Sequence, residues 1–151
     1  MIIKLDHTNS DTARKIQSVF RASYAIEAEL LNAVDFPPLK RGLESFISST
    51  NTFYAYKKGD EIAGAMEIDA SANSIHIQSL VVHPDFFRQG VASAMLHYVL
   101  RNYNSTIFTV ETGLDNGPAT ELYLKFGFRE VLQYDTDHGV RKIRFKKEMT
   151  R

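Results

Sequence analysis

The chain has 151 residues, 44% hydrophobic and 11% aromatic, which suits a single domain over residues 1–151 with a substantial core. Lys plus Arg and Asp plus Glu balance at 18 each, so no global field directs the protein to nucleic acid or to an anionic membrane; the absence of cysteine excludes disulfides, thiolate metal sites and thiol nucleophiles together. The start, Met1-Ile2-Ile3-Lys4-Leu5, lacks the basic segment and long apolar stretch of a secretion signal, and no run approaches membrane-spanning length, so a cytoplasmic location is expected.

Ile2 to Leu5 reads as a short strand. Thr8-Asn9-Ser10-Asp11 then offers N-cap residues for a helix whose Ile16, Val19, Phe20 and Tyr24 fall at helical spacing, running toward Leu31. After Pro37-Pro38, the spacing of Leu39, Leu43, Phe46 and Ile47 predicts a second amphipathic helix ending near Ser48. Three strands follow: Thr52 to Lys57, Glu61 to Asp69 across a Lys58-Gly59-Asp60 turn, and Ser74 to Val82 across Ser71-Ala72-Asn73. The stripe of Val91, Met95, Leu96, Val99 and Leu100 predicts a helix from near Gly90 to Asn102–Asn104, and Thr106 to Thr112 is the next strand. Pro118 to Lys125 reads as a helix closed by Gly127, and Phe128 to Tyr134 and Val140 to Lys146 are strands around an Asp135–Gly139 turn. The order β-α-α-β-β-β-α-β-α-β-β predicts a mixed α/β sheet.

The run Leu80-Val81-Val82-His83-Pro84-Asp85-Phe86-Phe87-Arg88-Gln89-Gly90-Val91-Ala92-Ser93 passes from a buried strand through a turn into a helix. Small residues at Gly90 and Ala92 let a ligand approach the backbone, and unpaired N–H groups at a helix start favour an anion. Neither G-x-x-x-x-G-K-[ST] nor G-x-G-x-x-G is present, so the other phosphate loops do not apply; an ordinary strand-to-helix turn is the alternative.

This stretch resembles the signature of the GNAT superfamily of acyl-CoA-dependent N-acetyltransferases, a strand ending hydrophobic-hydrophobic-Val-x-Pro followed by [QR]-x-x-G-x-[GA]. Here it reads Leu80-Val81-Val82-His83-Pro84 and Phe87-Arg88-Gln89-Gly90-Val91-Ala92, with Phe87 departing from the usual Gln or Arg. A second block, Asn116-Gly117-Pro118-Ala119-Thr120-Glu121-Leu122-Tyr123-Leu124-Lys125-Phe126-Gly127-Phe128, is similar to the family's N-x-x-A-x-x-x-Y-x-x-x-G-F. Together the resemblance covers roughly residues 50 to 148.

The resemblance implies a single-domain GNAT-like α/β fold, with a mixed, mostly antiparallel sheet of about seven strands flanked by about four helices. It implies acetyl-CoA as co-substrate, with the amides of Arg88, Gln89, Gly90, Val91 and Ala92 and the nearby Ser93 hydroxyl holding the pyrophosphate, and the backbone of Val81 and Val82 pairing with the pantetheine arm. Asn116 is expected to bond coenzyme, to cap the helix start, or both. Tyr123 is the general-acid candidate, because expulsion of a thiolate needs a proton donor and an ordinary phenol stays protonated at neutral pH.

An alkylammonium cannot attack, so a base is required. His76 is the candidate, with Glu67 expected opposite it if the hairpin turn at Ala70–Asn73 closes symmetrically; an exposed ion pair on the sheet surface is the alternative. Strict alternation would put His76, Gln78, Leu80 and Val82 on one face of the strand and Ile75, Ile77, Ser79 and Val81 on the other. In the superfamily the acceptor site draws on the first two helices and their connection, where Glu27, Glu29, Tyr24 and Phe36 are candidates to receive an amine, against a plain acidic helix surface. The histidines lack metal-ligand spacing, so no metal is expected. The acceptor is expected to be an amine-bearing small molecule or protein, and the molecule a monomer or homodimer. A non-catalytic acyl-CoA sensor or adaptor is the alternative function.

Overall fold

The computed structural model describes residues 1–150. Strands β1 (Ile2–Leu5), β2 (Thr52–Lys58), β3 (Glu61–Ala70), β4 (Ser74–Val82), β5 (Ile107–Gly113), β6 (Arg129–Asp135) and β7 (Arg141–Glu148) form one sheet in the order β1-β2-β3-β4-β5-β7-β6. Every neighbouring pair is antiparallel except β4 and β5, which are joined through a helical crossover and run parallel. The helices are α1 (Ser10–Leu31), α2 (Leu43–Ile47), α3 (Val91–Asn102) and α4 (Gly117–Lys125). This is the expected α/β architecture of a mixed seven-stranded sheet with four helices.

Each face of the sheet carries its own apolar layer. Ala13, Ile16, Val19 and Phe20 of α1 pack with Phe46, Phe53, Ala65 and Val81, while Val91, Met95, Leu96 and Val99 of α3 pack on the other face with Met66, Ile77, Phe108 and Phe145. Helix α1 starts where the Asn9 side chain accepts from the Thr12 amide at 3.1 Å and ends at Asn32, whose left-handed backbone (φ 51°) stops it.

Two local expectations are corrected. The second amphipathic helix is divided: Pro37–Lys40 forms a 3-10 turn, Arg41 is extended, and α2 begins after Gly42. Arg41 leaves the helix because its guanidinium turns inward, bonding Glu67 and lying 4.0 Å from the Phe46 ring centroid. The β3–β4 hairpin is not symmetric. Glu67 pairs with Ser79, Ile68 with Ile77 and Asp69 with His76, so Gln78 is an extra residue in β4 and Glu67 does not lie opposite His76. The bulge also reverses the alternation: Ser79 and Val81 face α1, whereas Ile77, Leu80 and Val82 pack with the α3 layer.

On the other edge of β4, pairing stops where the bulge begins. Strands β4 and β5 pair only from Ser74–Ile77 to Ile107–Val110, and beyond that point they part. No helix among the described residues is long and apolar enough to cross a membrane.

Candidate active site

The parting strands leave a cavity of about 570 Å³. Gln78 to Val82 form one wall and Glu111 to Gly113 the other; α1 contributes Tyr24 and Glu27, and α4 contributes Asn116 and Tyr123. The start of α3 closes one end with Arg88, Gly90, Val91, Ala92 and Ser93.

Backbone conformation leaves that end rich in unpaired amides. Arg88 and Gly90 both adopt left-handed backbone (φ 62° and 76°), and Gly90 caps α3 without any side-chain acceptor. Ala94 returns its amide to the Gly90 carbonyl at 3.0 Å, but among the described residues no protein acceptor takes the amides of Arg88 to Ser93. Arg88, Gly90, Val91, Ala92 and Ser93, which line the cavity, thus bring unpaired amides to the positive end of a helix. The Gln89 side chain points elsewhere, accepting from Lys58 Nζ at 2.6 Å, and Phe87 sits at the mouth with 42% of its surface exposed. Val81 and Val82 line the cavity on the side from which β5 has parted.

Tyr123 is only 4% exposed, wedged against Phe128 and Phe145 with ring centroids 5.8 and 5.7 Å away. Burial, followed by the negative charge of Glu27, pushes its pKa well above the ordinary phenol value, so the group is a neutral donor at any physiological pH. Its hydroxyl bonds no protein group among the described residues, and the residue lines the cavity. Tyr24 is raised for the same leading reasons, burial and then Glu27, but its hydroxyl donates to Ser79 Oγ at 3.2 Å. The Phe36 ring meets Tyr24 edge-on at 5.9 Å and completes this wall.

Glu27 links the two sides. Its Oε1 accepts from Thr112 Oγ1 and from Asn116 Nδ2, both at 2.9 Å, while Asn116 Oδ1 accepts from the Ala119 amide at 3.3 Å and so caps α4. Of the residues singled out from sequence, Tyr24, Glu27, Phe36, Val81, Val82, Arg88, Gly90, Val91, Ala92, Ser93, Asn116 and Tyr123 all line one cavity.

Four do not. Gln89 does not line the cavity, its side chain accepting from Lys58, and Glu29 is exposed on α1 away from the cavity. His76 projects from the sheet on the α1 side, its Nδ1 2.8 Å from Thr109 Oγ1; burial, then the nearby Arg144, lowers its pKa. It does not line the cavity. Glu67 is 2% exposed and fully engaged, accepting from Arg41, Ser49 and Asn51, so it orients the α1–α2 connection and not a catalytic histidine.

Sequence reasoning passed over Thr112 and Glu111. Both line the cavity from β5; Glu111 accepts from Arg144 Nη1 at 2.6 Å and from the Tyr134 hydroxyl. The signal was a polar pair closing an otherwise apolar strand, Phe108-Thr109-Val110-Glu111-Thr112. Among the described residues no group of three or more His, Asp or Glu side chains is arranged to hold a metal ion.

Comparison with known proteins bears on this arrangement. The family model "Acetyltransferase (GNAT) domain" matches residues 29–149. UPF0157 protein YqkA of Bacillus subtilis (strain 168) is 31% identical over 132 residues, which cover 87% of this chain and 38% of YqkA. Cysteine-rich protein 2-binding protein of Mus musculus is 35% identical over 74 residues, 49% of this chain and 9% of that protein. The chain thus spans well under half the length of these curated relatives. Among solved structures, the ribosomal-protein-S18-alanine N-acetyltransferase from Escherichia coli superimposes with a TM-score of 0.79 at 18% identity, covering 100% of this chain and 94% of that one. The PaiA N-acetyltransferase from Thermoplasma acidophilum, solved in complex with coenzyme A, gives 0.75 at 14% identity, covering 99% and 98%. These structural likenesses establish the fold; with the family model matching residues 29–149, the chain belongs to the GNAT acetyltransferase family.

Proposed function

We propose that this protein is an N-acetyltransferase that moves an acetyl group from acetyl-CoA to a primary amine by direct attack within a ternary complex. The observation that carries the reading is the set of unpaired amides at Arg88, Gly90, Val91, Ala92 and Ser93, lining a cavity that also holds a neutral phenol and a carboxylate.

Each wall then has a task. The amides of Arg88 to Ser93 bind the pyrophosphate of coenzyme A, and the free edge of β4 at Val81 and Val82 pairs with the pantetheine arm as a strand would. Glu27, flanked by Tyr24 and Phe36, holds the incoming ammonium and takes its proton. The freed amine forms the new C–N bond, the C–S bond breaks, the Tyr123 hydroxyl delivers a proton to the departing sulfur, and the proton that the nitrogen sheds on becoming an amide restores the phenol. With no cysteine in the chain, a thiol-based acyl-enzyme is not available to compete with direct attack. The acceptor is a small molecule or a protein or peptide amine, and the GNAT relatives supply the reaction class.

A second reading, an acyl-CoA sensor without turnover, is favoured by Phe87 in place of the family's Gln or Arg. Calorimetry with acetyl-CoA and an acetylation assay over a panel of primary amines separate the two. The enzyme reading expects saturable binding and turnover, with Tyr123→Phe lowering kcat by about 10²- to 10⁴-fold at unchanged acetyl-CoA affinity. Binding without turnover on any amine selects the sensor, and no saturable binding removes both.

A further inference from the structure

Asn116 stands in a motif whose resemblance points to the coenzyme, yet its side chain is turned toward α1. The Nδ2 group donates to Glu27 Oε1 at 2.9 Å and to Thr112 Oγ1 at 3.2 Å, while Oδ1 takes the Ala119 amide. Thr112 adds its own hydroxyl to the same carboxylate oxygen at 2.9 Å. Three elements far apart in sequence, α1, β5 and the start of α4, therefore meet on one oxygen atom.

The other oxygen is left over. Among the described residues no protein donor reaches Glu27 Oε2, although the residue is half-buried in the cavity and its charge is felt by the phenols of both Tyr24 and Tyr123. Two donors on Oε1 fix the plane of the carboxylate, and a fixed plane fixes where Oε2 points. Because Asn116 also caps α4, the same amide sets the start of the helix that presents Tyr123 about two turns later.

We infer that Thr112 and Asn116 are positioning residues for the acceptor amine: they hold Glu27 so that its free oxygen meets the ammonium in register with the Tyr123 hydroxyl. This rests on the reading of Glu27 as the acceptor carboxylate. It assigns Asn116 to the amine side of the reaction, where the sequence motif left it to bond coenzyme, to cap the helix start, or both. A freely rotating carboxylate would still attract a cation but would not aim it, so the loss falls on amine recognition.

The test uses substitutions that spare the cap. Asn116→Ser keeps a good N-cap but is too short to reach Glu27, and Thr112→Val removes the hydroxyl at nearly constant shape, with Thr112→Ser as the restoring variant. Assayed with the best amine from the panel, Asn116→Ser and Thr112→Val are expected to raise the amine KM about ten- to hundredfold. The acetyl-CoA Kd should stay within about twofold of the parent value, and Thr112→Ser should recover most of the loss. A weakened acetyl-CoA Kd with normal amine KM overturns the inference, as does a lowered Tm and kcat with amine KM unchanged. If the parent acetylates no amine, the proposed activity fails by itself. The tie is then judged by urea unfolding of Glu27→Ala, Asn116→Ser and the double variant: additive costs overturn it, and loss of the Asn116→Ser effect in the Glu27→Ala background supports it.

Discussion

Removing the Glu67 carboxylate should destabilise the fold far more than its net worth as an ion pair, and the structure gives the reason. Glu67 is 3% exposed at its side chain and accepts four hydrogen bonds: from Arg41 Nη1 at 2.6 Å, Arg41 Nη2 at 3.2 Å, Ser49 Oγ at 3.2 Å and Asn51 Nδ2 at 2.9 Å. Arg41 is itself 22% exposed, with its guanidinium against Phe46. Glu67→Met fills the space but strands a largely buried cation and two further donors, a loss of about 3–5 kcal/mol. Against a domain stability of about 5–15 kcal/mol, that is a large fraction. With a urea m-value of about 1–3 kcal/mol/M, the unfolding midpoint should fall by more than about 1 M. Replacing both partners, Arg41→Met with Glu67→Met, removes the stranded charge and should bring the midpoint most of the way back. A single substitution costing under about 1 kcal/mol, or a double variant weaker than the single one, would refute the account.

Other consequences are as open to measurement. At Gly64 a Cβ would lie 2.7 Å from Met95 Cε, 2.8 Å from Val91 Cγ1 and 2.9 Å from the Val81 carbonyl, so Gly64→Ala should cost about 1–3 kcal/mol. Since Val91 opens α3, the same change should weaken acetyl-CoA binding in calorimetry, and a normal Kd would show that the cradle is insulated from β3. Tyr24 and Tyr123 have raised pKa values in the folded state, through burial and then Glu27, so the unfolded chain ionises first, near pH ~10. Their stabilising contribution is complete below that pH and declines as the pH rises above it. The urea midpoint should drop on the alkaline side, less steeply in Tyr123→Phe. For His76 the sign reverses: its folded pKa is lowered, by burial and then Arg144, so stability is complete above pH ~6.5 and erodes below it. His76→Gln should flatten the acid slope of midpoint against pH, and an unchanged slope would exclude this histidine as its source.

The sequence exposes local order well and long-range pairing poorly. Ile2–Leu5 and Ser74–Val82 match the expected strands to the residue, the second because Ser71-Ala72-Asn73 precedes it and Pro84 follows it. The α3 stripe was equally plain. The second helix was misjudged because Leu39, Leu43 and Phe46 keep helical spacing even though Arg41 interrupts the backbone to reach Glu67. The β4 bulge was invisible, since Ile75, Ile77, Ser79 and Val81 look like unbroken alternation; only pairing with β3 reveals the extra residue. That error put Glu67 opposite His76. The motif segments brought out most of the cavity, but the contacts from Glu27 to Thr112 and Asn116 join residues 85 and 89 positions apart, a distance over which no periodicity speaks.

Gln78 is one residue too many in an otherwise regular ladder, and the whole crevice descends from it. Substituting any one amino acid along the crevice alters a wall but leaves the opening, because main-chain edges, not side chains, create it. Removing a single position from β4 would zip the two central strands together and swing Ser79 to the far layer. Across descendants of this chain, the length of β4 is therefore expected to be held at least as tightly as its buried residues Ile77 and Val81.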